Sequence, residues 1–188
     1  MQALIKTALV AALGLSAFGA MAGEIKDTDI RATQVRNEAT AEGSRAYQHI
    51  GTTFGSGKIL NSTIVADKAT NFADGKNSLA HQDIGRALAG GTMDNVKVYA
   101  TGAHNHARAD GSRAEQRIGS VANGTMKDVN IYANNVRNDA TGKGSFATQE
   151  IGVVYQGTMK KVNIFADGAT NLASGKNSVA EQKIGVVN

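Results

Sequence analysis

From Gly23 to Asn188 this chain copies itself every 33 or 34 residues, and that period constrains its fold more than any other property. Five Ile-Gly pairs mark it, Ile50-Gly51, Ile84-Gly85, Ile118-Gly119, Ile151-Gly152 and Ile184-Gly185, spaced 34, 34, 33 and 33. The stretch Gly124 to Gln156 reads GTMKDVNIYANNVRNDATGKGSFATQEIGVVYQ, and Gly157 to Asn188 reads GTMKKVNIFADGATNLASGKNSVAEQKIGVVN. One such unit cannot bury an apolar face alone, so a repeat of this length means a supersecondary unit stacked on its own copies.

Each Ile-Gly pair closes the phrase Ser-x-Ala-x-Gln-x-Ile-Gly, as in Ser44, Ala46, Gln48, Ile50 and again in Ser178, Ala180, Gln182, Ile184. The positions between vary freely, with Arg45, Leu79, Arg113, Phe146 and Val179 at one of them. Fixed residues alternating with free ones are the mark of a strand with one buried face. A second phrase carries Ile or Val and then Ala two residues on: Ile30 and Ala32, Ile64 and Ala66, Val98 and Ala100, Ile131 and Ala133, Ile164 and Ala166. A third, Asn-x-Ala, follows at Asn37, Asn71, Asn105, Asn138 and Asn171 after a one-residue change of phase. That slip predicts a bulge or corner near Asp67-Lys68, Thr101-Gly102, Asn134-Asn135 and Asp167-Gly168. Turn chemistry closes the unit at Ser174-Gly175-Lys176-Asn177 and its equivalents, and again at the Gly-Thr-Met step. The predicted fold is all-β, a cross-β-like β-solenoid whose rungs hold two long strands or three shorter ones.

The first 22 residues read as an export signal: Lys6 supplies the positive region, Thr7 to Ala20 the apolar run, and Ala20-Met21-Ala22 the cleavage site before Gly23. The apolar run is short for a membrane span and no second one follows, so the mature chain is expected outside the cell with no spanning segment. Gly23 to Ile30 lines up with Gly124 to Ile131, so this cleavage falls where each repeat begins. The mature chain is expected to divide into five rungs without added caps: 23–56, 57–90, 91–123, 124–156 and 157–188.

Composition agrees with stacked strands. There is no Pro, which cannot donate to a β-ladder, and aromatic residues are only 5%, so small side chains must fill the interior. The absence of Cys removes disulfides and thiolate chemistry. A net charge of +4 spread along the chain argues against a nucleic-acid surface.

Stacked in register at about 4.8 Å, each recurring residue would lie on its own copy. Gln48, Gln82, Gln116, Gln149 and Gln182 would form one buried amide ladder, and Asn37, Asn71, Asn105, Asn138 and Asn171 another, with the terminal members short of partners. Ile50, Ile84, Ile118, Ile151 and Ile184 would supply a dry ladder. His49, Asp83, Arg117, Glu150 and Lys183 fall on an outward position whose charges alternate in sign, a device against stacking out of register. Val65, Tyr99, Tyr132 and Phe165 form an apolar stripe, either exposed for lateral contact or buried against another face of the same rung.

His104-x-His106 occurs once and has no third ligand at matching spacing, so a solvated face is expected rather than a metal site. Ala89-Gly90-Gly91-Thr92 lacks the Lys-Ser/Thr of a phosphate loop. No inward carboxylate pair recurs, so neither catalysis nor a cofactor is expected.

The recurring Ser, Gln, Asn, Gly and Ala resemble the repeats of curlin, the curli fibre subunit family, over Gly23 to Asn188. Curlin repeats are shorter and join Gln to a Gly-x-Gly-Asn-x-Ala phrase. Here Ser145 to Gln149 are four apart, Ile151-Gly152 stands for the Gly-x-Gly, and Asn-x-Ala precedes the Ser. The resemblance implies a subunit exported unfolded through an outer-membrane pore and templated by a nucleating or anchoring subunit onto a fibre of the biofilm matrix. The runner-up is a monomeric or surface-tethered solenoid adhesin binding carbohydrate or another surface. An ice-binding solenoid is disfavoured, because no outward Thr-x-Thr array recurs.

Overall fold

The computed structural model describes residues 23–40, 45–74, 77–108, 111–141, 144–175 and 177–188. The export signal, Ser44 and part of the Ser-Gly-Lys-Asn turns lie outside them. Every described strand pairs in parallel with its equivalent one repeat away, giving the expected all-β solenoid. Register is that of the repeat itself: Gln48 faces Gln82, Gln82 faces Gln116, Gln116 faces Gln149 and Gln149 faces Gln182.

Three sheets enclose the core. In the first rung Glu24–Lys26 and Asp29–Thr33 belong to the first sheet, Arg36–Ala39 to the second and Arg45–Thr53 to the third. The first sheet is bent within each rung at Asp27, Asn61, Asn95, Asp128 and Lys161, all with φ between 46° and 53°. Asp and Asn tolerate this left-handed region better than other side chains. In the last two rungs the strands on either side of the bend join, as Thr125–Asn134 and Thr158–Asp167. The two-or-three-strand alternative thus resolves into three sheets, one of them folded.

The phase slip is a corner. Gln34, Lys68, Gly102, Asn135 and Gly168 stand there with φ of 50° to 60° and turn the chain from the first sheet into the second. The change of period from 34 to 33 falls at another corner: five residues separate Gly85 from Gly91, but four separate Gly119 from Gly124. Ala89 and Gly90 both take positive φ between Gly85 and Gly91, whereas Gly55 alone does between Gly51 and Gly57 and Asn123 alone in the shorter corner.

The interior has two parts. Ile59, Ile64, Met93, Val98, Ile118, Met126 and Ile131 fill the larger, between the first sheet and the far half of the third. Ala46, Ala73, Ala80, Ala107, Ala114, Ala140 and Ala147 line the smaller, between the second and third sheets. The Gln and Asn side chains occupy this narrow Ala-lined part, where an unpaired amide would be costly.

Candidate functional site

The amides are satisfied by two ladders that run in opposite senses. Gln82 Nε2 donates to Gln48 Oε1 at 2.6 Å, Gln116 to Gln82 at 2.7 Å, Gln149 to Gln116 at 2.7 Å and Gln182 to Gln149 at 2.5 Å, always toward the N-terminal rung. Asn37 Nδ2 donates to Asn71 Oδ1 at 2.9 Å, then Asn71 to Asn105, Asn105 to Asn138 and Asn138 to Asn171 at 2.8 Å, always toward the C-terminal rung. Gln82, Gln116, Gln149, Asn71, Asn105 and Asn138 are fully buried.

Amide nitrogens of both ladders also reach backbone carbonyls of their own or an adjacent rung. Asn138 donates to the Ala114 and Thr148 carbonyls at 3.1 and 3.0 Å, and Gln116 to the Ala103 carbonyl at 3.1 Å. These bonds tie the third sheet to the second sheet and to the corner before it. At the ends, Gln48 donates to the Thr70 carbonyl, and Asn171 to those of Ala147 and Glu181. The acceptor sides of Asn37 and Gln182 face outward along the stack. Among the Ile ladder, Ile84, Ile118 and Ile151 are fully buried, whereas Ile184 on the last rung is 44% exposed.

Val65, Tyr99, Tyr132 and Phe165 lie side by side on the outer face of the first sheet. Tyr99 and Tyr132 stack with ring centroids 4.9 Å apart and planes within 6°. Tyr132 and Phe165 are 41% and 57% exposed. Of the two readings open for the stripe, the outward one describes this geometry.

The alternating charges are in register but are not the exposed row expected from the sequence. Asp83 is fully buried and Glu150 nearly so. The reason is coverage by long neighbours that vary from repeat to repeat: His81, Arg86, Glu115 and Tyr155. Asp83 Oδ2 lies 3.2 Å from Arg86, 3.2 Å from His49 and 3.0 Å from His81. Arg117 reaches Glu150 at 3.1 Å and Glu115 at 3.2 Å, and the Tyr155 hydroxyl donates to Glu150. Lys183 instead pairs within its own rung, with Glu181 at 3.0 Å.

Electrostatics follow from this crowding. Burial by itself would raise the Asp83 carboxyl, but hydrogen bonds from His49 and His81 outweigh it and hold the group far below the usual range. Glu115 is held down to about 2, chiefly by its hydrogen bond with His81. Burial disfavours charge on His81, yet the bonds to Asp83 and Glu115 prevail and raise it.

His104 and His106 sit half-buried on the second sheet, ring centroids 6.4 Å apart. His106 stacks on Phe72 at 5.1 Å and pairs with Asp139 at 3.2 Å. Burial lowers its pKa despite that carboxylate, because Arg108, Arg137 and His104 also face it.

No family model, no curated protein and no solved structure matches the chain.

Proposed function

We propose that this chain is a secreted structural protein that polymerises head to tail into extracellular amyloid-like fibres. The observation that supports the reading best is the surface of the two outermost described rungs. Residues 157–188 leave Leu172, Val179, Ile184 and Val187 between 42% and 52% exposed, and among the described residues the strands of this rung are paired on one side only. On a second copy stacked in phase, the opposed senses of the amide ladders make the two faces complementary. The next copy's Gln48 amide would donate to Gln182 Oε1, and Asn171 would donate to the next copy's Asn37 Oδ1. Parallel β-strand addition then extends each sheet.

In this reading residues 1–22 direct export, a secretion pore passes the unfolded chain, and a nucleating or anchoring subunit starts growth in a biofilm matrix. The resemblance to curlin repeats supports the same picture. Electron microscopy and fibre diffraction of residues 23–188 test it: fibres with a reflection at about 4.8 Å are expected. Gln182→Lys should stop growth at the C-terminal face while leaving the monomer folded, because Gln182 is exposed. Monomers alone after long incubation, with no such reflection, would overturn the proposal.

One observation favours a second reading, a surface-binding solenoid. The stacked Tyr99 and Tyr132 with Phe165 make a flat apolar strip of the kind that grips another surface. If Tyr99, Tyr132 and Phe165 all changed to Ser abolished surface binding by a protein that remains monomeric, the adhesin reading would replace the fibre.

A further inference from the structure

In-register stacking does more at one place than continue a ladder. Tyr47 faces His81 and His49 faces Asp83 across the first two rungs, and His81 lies two residues before Asp83 on the same outward face. Two imidazoles from different rungs therefore converge on one carboxylate. His49 Nδ1 lies 3.2 Å and His81 Nε2 3.0 Å from the same Asp83 Oδ2. One ligating atom from each of the three residues lies within 4.8 Å of the others. Ligands bound to one ion at about 2.0–2.1 Å stand roughly 3 Å from each other, so only a small adjustment separates this cluster from a coordination shell.

We propose that His49, His81 and Asp83 form a binding site for a divalent transition-metal ion of the zinc class, bridging the first and second rungs. The surroundings fit. His81 Nδ1 is 3.1 Å from Glu115 Oε2 on the third rung, so a carboxylate fixes the ring with Nε2 turned to the ion, as the outer partners of metal-bound His commonly do. His49 is 31% exposed in its side chain and opens the site to solvent, between the half-exposed rings of Tyr47 and Phe54. Phe54 meets the His49 ring edge-on at 5.4 Å.

Opposing charge is present and compensated. Arg86 touches Asp83 at 3.2 Å and Arg117 approaches it at 3.9 Å. Arg117 is engaged by Glu115 and Glu150, and Glu115 also pairs with Arg113, so three carboxylates, Asp83, Glu115 and Glu150, balance three guanidiniums. Two nitrogens and one oxygen suit zinc, cobalt, nickel or copper, and disfavour magnesium and calcium, which take oxygen shells. Water completes the shell on the open side. Binding displaces whatever protons the three residues share and pins the first rung to the second. The site is independent of fibre formation, since all its residues come from one chain.

The test is calorimetric titration of residues 23–188 with zinc chloride at neutral pH, paired with cobalt absorption spectra. One equivalent should bind with micromolar or tighter affinity and raise the melting temperature, and excess magnesium should not compete. His49→Ala and His81→Ala should each lose at least tenfold in affinity, whereas His104→Ala/His106→Ala, which removes the other two histidines, should bind as the parent does. His49→Ala alters a half-open side chain on an outer rung, so its fold is checked by circular dichroism and it serves if His81→Ala does not fold. No binding by the parent, undiminished binding by His49→Ala, or loss in His104→Ala/His106→Ala would overturn the site.

Discussion

A Cβ placed on Gly119 would lie 2.5 Å from Cδ1 of Ile131, so the glycine of one phrase and the isoleucine of the next are fitted to each other. The same fit recurs between Gly85 and Val98 and between Gly152 and Ile164. Gly119 also has φ of 59°, whereas Gly102, at φ 57°, has only Lys68 Cγ at 3.6 Å as its nearest neighbour. Gly102→Ala is expected to cost about 1–2 kcal/mol for the left-handed backbone alone. Gly119→Ala should cost about 1–3 kcal/mol more, for overpacking against Ile131. Urea unfolding of the two variants measures the difference, and equal losses would contradict the fit.

Gln116 is the middle of its ladder, donating to Gln82 and accepting from Gln149. Gln116→Leu removes both ladder bonds and the one to the Ala103 carbonyl, and leaves the amide of Gln149 and the carbonyl of Gln82 each buried without its Gln116 partner. A loss of about 2–4 kcal/mol is expected, from about 1–3 kcal/mol per unsatisfied group with some relaxation. Replacing Gln82, Gln116 and Gln149 together by Leu should cost less than three times the single change, because the later substitutions remove stranded partners. Equilibrium unfolding of the single and triple variants checks this.

Arg117 is the cation shared by Glu150 and Glu115. Burial opposes its charge, and those carboxylates together with Asp83 restore it and raise its pKa. Arg117→Met would leave Glu150 buried with its Tyr155 bond but no cation, for an expected loss of about 3–5 kcal/mol. An exposed pair would have cost about 0.2–1 kcal/mol. Thermal and urea unfolding at low and high salt distinguish the two, since a buried pair is little affected by screening.

His106 supplies a pH signature. Burial lowers its pKa in the folded chain, so the unfolded chain takes up the proton first as pH falls. Its contribution to stability is complete above the unfolded value of about 6.5 and is lost as pH drops toward the lowered folded value. The stability of the parent relative to His106→Gln should therefore decline from pH 7 to pH 5. A flat difference over that range would show that His106 takes its proton in the folded chain as readily as in the unfolded one.

Much of the fold is legible in the residues because an in-register parallel stack sets each residue on its own copy. A recurring Gln at 48, 82, 116, 149 and 182 is then a column by necessity, and the phase slip before Asn71 and Asn105 marks a corner. What recurs can be read. His81, Arg86, Glu115 and Tyr155 do not recur, so no periodicity flagged them, although they bury Asp83 and Glu150 and gather two histidines on one carboxylate.

The sequence by itself determined the period, the register, and which side chains share a ladder, since these depend only on repetition and on the alternation of a strand. Only the tertiary structure decided the direction in which the Gln and Asn amides donate, the bend in the first sheet, and the burial of the charge row. Those outcomes depend on how far side chains reach across a rung and over adjacent columns, a distance that repetition along the chain does not encode.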